Sequence, residues 1–217
     1  EFRAVWPDGT ICWIDNRMII ERNPMGAIVA IDGIQYDITD RKLQQERIEY
    51  MAGHDPLTEL PNRALCMDTL ARAVSAGKRY HREFAVMYMD LDYFKEVNDQ
   101  LGHDVGDLLL VEISQRFKKA LRTSEFVARI GGDEFVVIAE QLTIPEDIDV
   151  VARRLIAAAA EPIELNGHSC RVSVSVGISI FPHHSSDSDM LVKFADVAMY
   201  RAKQAGRNSY QIYQAEP

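Results

Sequence analysis

Four acidic side chains stand where their types and spacing could do chemistry. Asp90 closes the run Phe84-Ala85-Val86-Met87-Tyr88-Met89, which is apolar at both alternating sets of positions and so predicts an interior strand. A carboxylate at the end of such a strand sits at a sheet edge, where open α/β sheets commonly place ligand sites. Asp133 and Glu134 leave a Gly131-Gly132 turn between two short apolar runs, 126–130 and 135–139, a hairpin pattern. The glycines carry no Cβ that would hold a ligand away from the backbone. Together, Asp90, Asp133 and Glu134 would make a hard, oxygen-lined site suited to Mg²⁺. Taken singly, the features have plainer roles: Gly131-Gly132 as an ordinary hairpin turn, and Asp92 as the N-cap of a helix starting at Tyr93.

The elements that must position these residues follow from periodicity. Residues 11–20 and 27–38 are β-branched and aromatic around a break at Asn23-Pro24-Met25-Gly26, a two-stranded hairpin. Two strands bury too little to stand alone. Residues 43–51 are charged and Gln-rich, the pattern of an exposed or dimer-forming helix. After a Pro-punctuated loop over 55–63, Ala64, Met67, Ala71 and Val74 recur at helical spacing. The strand 84–89 leads to a short helix carrying Phe94 and Val97, a turn over Gly102 to Gly106, and a helix with Leu109, Ile113, Phe117 and Leu121 on one face. Another helix starts at Pro145, with Ile148, Val151 and Leu155 as its stripe. Past Asn166-Gly167, Val172, Val174, Val176, Ile178 and Ile180 alternate strictly with small residues, which predicts a strand buried on one face. A last helix over 189–205 stops at Gly206, and a short strand holds Tyr210 and Ile212. The sum is an α/β sheet with hairpins inside it, rather than an alternating βα barrel.

Composition narrows the function classes. The formal net charge of −9 argues against a protein that holds nucleic acid through phosphate contacts, which need a basic surface. Single nucleotides remain compatible if a metal ion or a few placed cations neutralise their phosphates. No apolar run approaches the ~20 residues of a membrane span, so no membrane contact is expected within this segment. Cys12, Cys66 and Cys170 are far apart and show no C-x-x-C spacing, which fits a reducing, cytoplasmic setting. The six histidines form no H-E-x-x-H or Cys/His ligand pattern, and Met87 and Met89 read as core. The chain starts at Glu1-Phe2-Arg3 without an initiator Met and reads as a piece of a longer polypeptide, which could be membrane-anchored upstream.

Four segments together resemble the diguanylate cyclase (GGDEF) family, in its usual order. They are Met89-Asp90-Leu91-Asp92-Tyr93-Phe94-Lys95-Glu96-Val97-Asn98-Asp99, Gly102-His103-Asp104-Val105-Gly106-Asp107, Arg129-Ile130-Gly131-Gly132-Asp133-Glu134-Phe135 and Ala202-Lys203-Gln204-Ala205-Gly206-Arg207-Asn208. The resemblance covers 54–217 and implies an α+β fold: a nucleotidyl-cyclase, palm-like central mixed sheet, largely antiparallel, flanked by helices. Residues 1–39, with Trp6-Pro7-Asp8-Gly9-Thr10 and the exit Asp37-Ile38-Thr39-Asp40-Arg41-Lys42, resemble the C-terminal part of a PAS sensor domain. Residues 40–53 would then be a linker or signalling helix.

Carried over residue by residue, the resemblance implies Mg²⁺, with Mn²⁺ as an alternative, on Asp90, Asp133 and the backbone carbonyl of Leu91, with Glu134 beside them. Asn98 and Asp107 would bind the guanine edge, and Lys95, Lys203 and Arg207 the triphosphate of GTP. Lys203 and Arg207, four apart, are expected on one side at the end of the last helix; as cations there they could equally serve the helix terminus. The implied reaction condenses two GTP into cyclic di-GMP, with Asp133 and Glu134 at the reacting centre and a homodimer needed for catalysis. Product-limited members carry R-x-x-D upstream of the signature; here the window is Arg122-Thr123-Ser124-Glu125. Glu moves the charge outward by one methylene, which predicts a weaker inhibitory product site at Arg122 and Glu125. The alternative is a domain without turnover that binds GTP or cyclic di-GMP as a regulatory module, for instance for a downstream phosphodiesterase domain.

Overall fold

The structure is a computed structural model that describes residues 1–140 and 145–215, the side chains of 145–147 excepted. The chain forms two compact units that divide between Ala52 and Gly53.

In the first unit, β1 (Phe2–Val5), β2 (Ile11–Arg22) and β3 (Ile28–Asp37) form an antiparallel sheet in that order. A third strand thus joins the expected hairpin. The sheet buries little: Cys12, Ile14 and Ile38 are enclosed, while Met18, Ile20, Ile31 and Ile34 are exposed. Helix α1 (Thr39–Gly53) has no buried residue, in keeping with its polar sequence.

The second unit carries a five-stranded sheet. Its strands are β4 (Phe84–Asp92), β5 (Glu125–Gly131), β6 (Glu134–Glu140), β9 (Ser173–Phe181) and β10 (Tyr210–Ile212), in the order β10-β9-β4-β6-β5. Only β10 runs parallel to its neighbour. Helices α2 (Arg63–Tyr80), α3 (Phe94–Leu101), α4 (His103–Ala120), α5 (Pro145–Ala160) and α6 (Ser188–Gln204) surround it, and β7 (Ile163–Leu165) pairs with β8 (His168–Cys170) as a separate hairpin. This is the mixed, mostly antiparallel α+β sheet that the resemblance implied.

Strand β4 is buried at every position, as its two-sided apolar sequence requires. Met87 and Met89 face α4 and α5 through Leu109, Ile113, Phe117 and Leu155. Phe84, Val86 and Tyr88 face α2 and α6 through Cys66, Leu70, Leu191 and Met199. Burying one such large apolar side chain contributes roughly 1.5–3 kcal/mol, so the middle strand anchors both layers.

Three local expectations need correction. Strand β9 is covered on both faces rather than one: Ser175 and Ser179 are fully buried, Ser175 on Asp92 and Ser179 against α6, where its hydroxyl donates to the Leu191 carbonyl at 2.7 Å. The turn expected over 102–106 shrinks to Gly102, since α4 starts at His103; a residue with φ 88° ends α3 and opens α4 at once. The Asn166-Gly167 turn closes the β7–β8 hairpin instead of leading into the long strand; its two positive φ values, 49° and 82°, are those of a type I′ turn.

Candidate active site

The ends of β4 and β6 bring the acidic residues together. Asp90 pairs in register with Glu134, and the Leu91 amide donates to the Asp133 carbonyl at 3.2 Å. The expected Gly131-Gly132 turn is shifted by one: Gly131 ends β5 opposite Glu134, and Gly132 and Asp133 make the turn into β6. A Cβ at either glycine would meet nothing within 4 Å, so both face open space. Gly132, at φ 53°, has the left-handed conformation that favours glycine.

Asp90 is 9% exposed, and its Oδ1 lies 2.6 Å from Lys203 Nζ. Burial pushes its carboxyl up to about 6; the Lys203 hydrogen bond opposes this, and the negative charges of Asp133 and Glu134 add to it. The Glu134 carboxylate also lies near the Tyr88 hydroxyl. Burial, and then that carboxylate, push the Tyr88 phenol upward.

A brace outside the expected set holds the signature turn. Arg129 donates from Nε and Nη2 to the Gly132 carbonyl, at 2.9 and 2.8 Å, and from Nη1 to Asp55 Oδ1 at 2.8 Å. Asp55 accepts in addition from the Thr58 amide and hydroxyl. Burial alone would raise its pKa, but the hydrogen bonds from Thr58 and Arg129 outweigh that and hold it below the usual carboxylate range. Asp55 reads in the sequence only as part of a Pro-punctuated loop. Its partner is 74 residues away, beyond the reach of periodicity.

A cleft of about 430 Å³ opens beside the acidic pair and gathers Asp90, Leu91, Lys95, Asp133, Lys203 and Arg207. Asn98 and Asp107 do not line it; Asn98 lies on α3 and Asp107 on α4. The Asn98 carboxamide lies against Gly106, where an added Cβ would fall 1.9 Å from Oδ1. Arg122 and Glu125 lie apart from the cleft, at the start of β5. Glu125 accepts from the Arg122 amide at 2.6 Å and from Arg154 Nη2 at 2.9 and 3.1 Å.

Two further expectations change here. Arg207 is not on the helix with Lys203: α6 ends at Gln204, and Gly206 at φ 117° turns the chain so that the Arg207 amide bonds back to the Ala202 carbonyl. Asp92 is not an N-cap, because α3 begins after Tyr93, at φ 64°, without a side-chain cap. It is 2% exposed and accepts from the Ser173 and Ser175 hydroxyls and the Asn208 amide. Its period-two relation to Asp90 was the available signal, since i and i+2 share a strand face.

Among the described residues, no three His, Cys, Asp or Glu side chains converge as a metal cage. What converges in the cleft is an open set: the carboxylates of Asp90, Asp92, Glu96, Asp99 and Asp133 with the cations Lys95, Lys203 and Arg207. The chain belongs to the diguanylate cyclase GGDEF domain family, whose model matches residues 52–209.

It is 42% identical over 165 residues to the bifunctional diguanylate cyclase/cyclic di-GMP phosphodiesterase MucR of Pseudomonas aeruginosa, covering 76% of this chain and 24% of that protein. It is 40% identical over 174 residues to the diguanylate cyclase TpbB of the same species, covering 79% of this chain and 40% of that one. The solved GGDEF domain of TpbB superposes with a TM-score of 0.72 at 41% identity, over 74% of this chain and 94% of that one. The chain thus spans well under half the length of these curated relatives.

Proposed function

We propose that the second unit is a diguanylate cyclase that condenses two GTP into cyclic di-GMP. The observation that carries this reading is the cleft that joins Asp90 and Asp133 to Lys95, Lys203 and Arg207. Phosphoryl transfer depends chiefly on positioning and charge neutralisation, and an acidic protein must supply both locally.

The donor set fits Mg²⁺ or Mn²⁺. The Asp90 and Asp133 carboxylates and the Leu91 carbonyl are hard oxygens that would hold the ion while leaving positions for water and phosphate. The raised pKa of Asp90 comes first from burial, with Lys203 opposing it and the charges of Asp133 and Glu134 adding to it. When bound, the ion would polarise the α-phosphate and help ionise the attacking hydroxyl.

The chain's own groups do the rest. Asn98 and Asp107 would accept from and donate to the guanine edge. Lys95, Lys203 and Arg207 would hold the triphosphate. The 3′-oxygen of one GTP forms a bond to the α-phosphorus of the other, the bond to the departing pyrophosphate breaks, and Asp133 accepts the hydroxyl proton. The same exchange then closes the ring. Each domain would hold one GTP, so two chains must face each other as a homodimer.

The test is chromatography of purified protein, also fused to a dimerising partner, after incubation with Mg²⁺ and GTP. Cyclic di-GMP is expected, and ATP should give no cyclic dinucleotide. A second reading has the domain bind GTP or cyclic di-GMP to regulate a neighbouring phosphodiesterase, in line with the bifunctional character of MucR. Untouched GTP in the forced dimer would favour it.

Two substitutions probe the positioning. Arg129→Ala should lower turnover about tenfold to a hundredfold, since a shift of about 1 Å in a reacting group can cost that much, with GTP binding nearly unchanged. Gly106→Ala should displace the Asn98 carboxamide, raising KM for GTP about tenfold with a smaller change in kcat. Steady-state kinetics on both variants checks these outcomes.

A further inference from the structure

We infer that Asp92, buried in the wall of the cleft, is a positioning residue that fixes Arg207 for the triphosphate; this rests on the cyclase reading of the site. A carboxylate next to a phosphate site needs a reason, because its charge repels the ligand. Here its oxygens accept from three donors and face one cation. Ser173 Oγ and Ser175 Oγ donate at 2.6 and 2.7 Å, the Asn208 amide at 3.2 Å, and Arg207 Nε stands 3.9 Å from Oδ1. The side chain is fully enclosed.

The loop so fastened is an unfavourable one. Gly206, Arg207 and Asn208 have φ of 117°, 64° and 45°, and non-glycine residues persist in the left-handed region only when their surroundings hold them there. Asp92 supplies that hold at Asn208 and, through its charge, at Arg207. Tyr93, itself at φ 64°, completes the seat: its ring lies 5.2 Å beneath the Arg207 guanidinium. Arg207 therefore enters the cleft from a rigid loop with its guanidinium backed on two sides, and its remaining N–H groups are left for phosphate oxygens.

The experiment measures binding of guanosine 5′-[α,β-methylene]triphosphate, whose bridge cannot be broken, and of guanosine, both with Mg²⁺. Asp92→Asn should weaken the triphosphate analogue about tenfold and leave guanosine unchanged. In an Arg207→Ala background, Asp92→Asn should add nothing further. A merely structural Asp92 would weaken both ligands alike, or add its full effect to that of Arg207→Ala, and either result overturns the proposal.

If Asp92→Asn does not fold, as judged by its thermal melt, Ser175→Ala keeps the charge and removes one donor. Its expected twofold to threefold weakening must likewise vanish in the Arg207→Ala background, and persistence overturns the proposal. Failure of the unsubstituted protein to bind the analogue would instead remove the cyclase reading, and this inference with it.

Discussion

Asp133→Ala should abolish cyclic di-GMP formation, with a loss of at least about a thousandfold, the scale expected when a group acting on the developing charge is removed. The fold should not suffer. Asp133 contributes to the structure through its backbone carbonyl, which accepts from the Leu91 amide, and alanine keeps that carbonyl. Its carboxylate adds to the negative charge that, with burial, raises the Asp90 pKa, so deleting it relieves repulsion in the folded state. The melting temperature is therefore expected to stay level or rise slightly. Retained turnover above about one per cent of the original, or a marked drop in melting temperature, would contradict this account of the turn.

Gly177→Ala should have the largest effect on stability. An added Cβ would fall 2.0 Å from both the Ala195 carbonyl oxygen and the Met199 nitrogen, and 2.7 Å from the Ala198 carbonyl carbon. All three are helix backbone, so no side-chain rotation relieves the clash and α6 must move off β9. Overpacking of this kind costs about 3 kcal/mol or more, which for a domain of this size lowers the melting temperature by roughly 6–12 °C. Because α6 also carries Lys203, which contacts Asp90 at 2.6 Å, turnover should fall in the variant even below its melting transition. A calorimetric scan showing unchanged stability would mean that the close helix–sheet contact is not as described.

The parts of this arrangement legible in the sequence are those set by local pattern. The two-sided apolar run before Asp90 marked the central strand, and the Gly131-Gly132 break between two short runs marked the hairpin that pairs with it. The period-two pattern of β9 was legible as a strand, but its other face was not. Serine and glycine opposite valine suggest a wet surface, whereas Gly177 and Ser179 lie against the backbone of α6 and Ser175 is buried on Asp92. The same face conceals Asp92, whose hydroxyl partners are 81 and 83 residues away. Helical spacing put Lys203 and Arg207 on one helix face; a left-handed turn at Gly206 separates them. Asn98 and Asp107 carried no local signal of a shared role, and only the resemblance linked them. The Arg129 brace depends on Asp55, a contact that no periodicity encodes.

Pyrophosphate release tests the central claim most directly. With Mg²⁺ and GTP, the protein held as a dimer should release two pyrophosphates for each cyclic di-GMP formed, and Asp133→Ala should release none. GTP that binds to the dimer yet yields no pyrophosphate would contradict the cyclase reading.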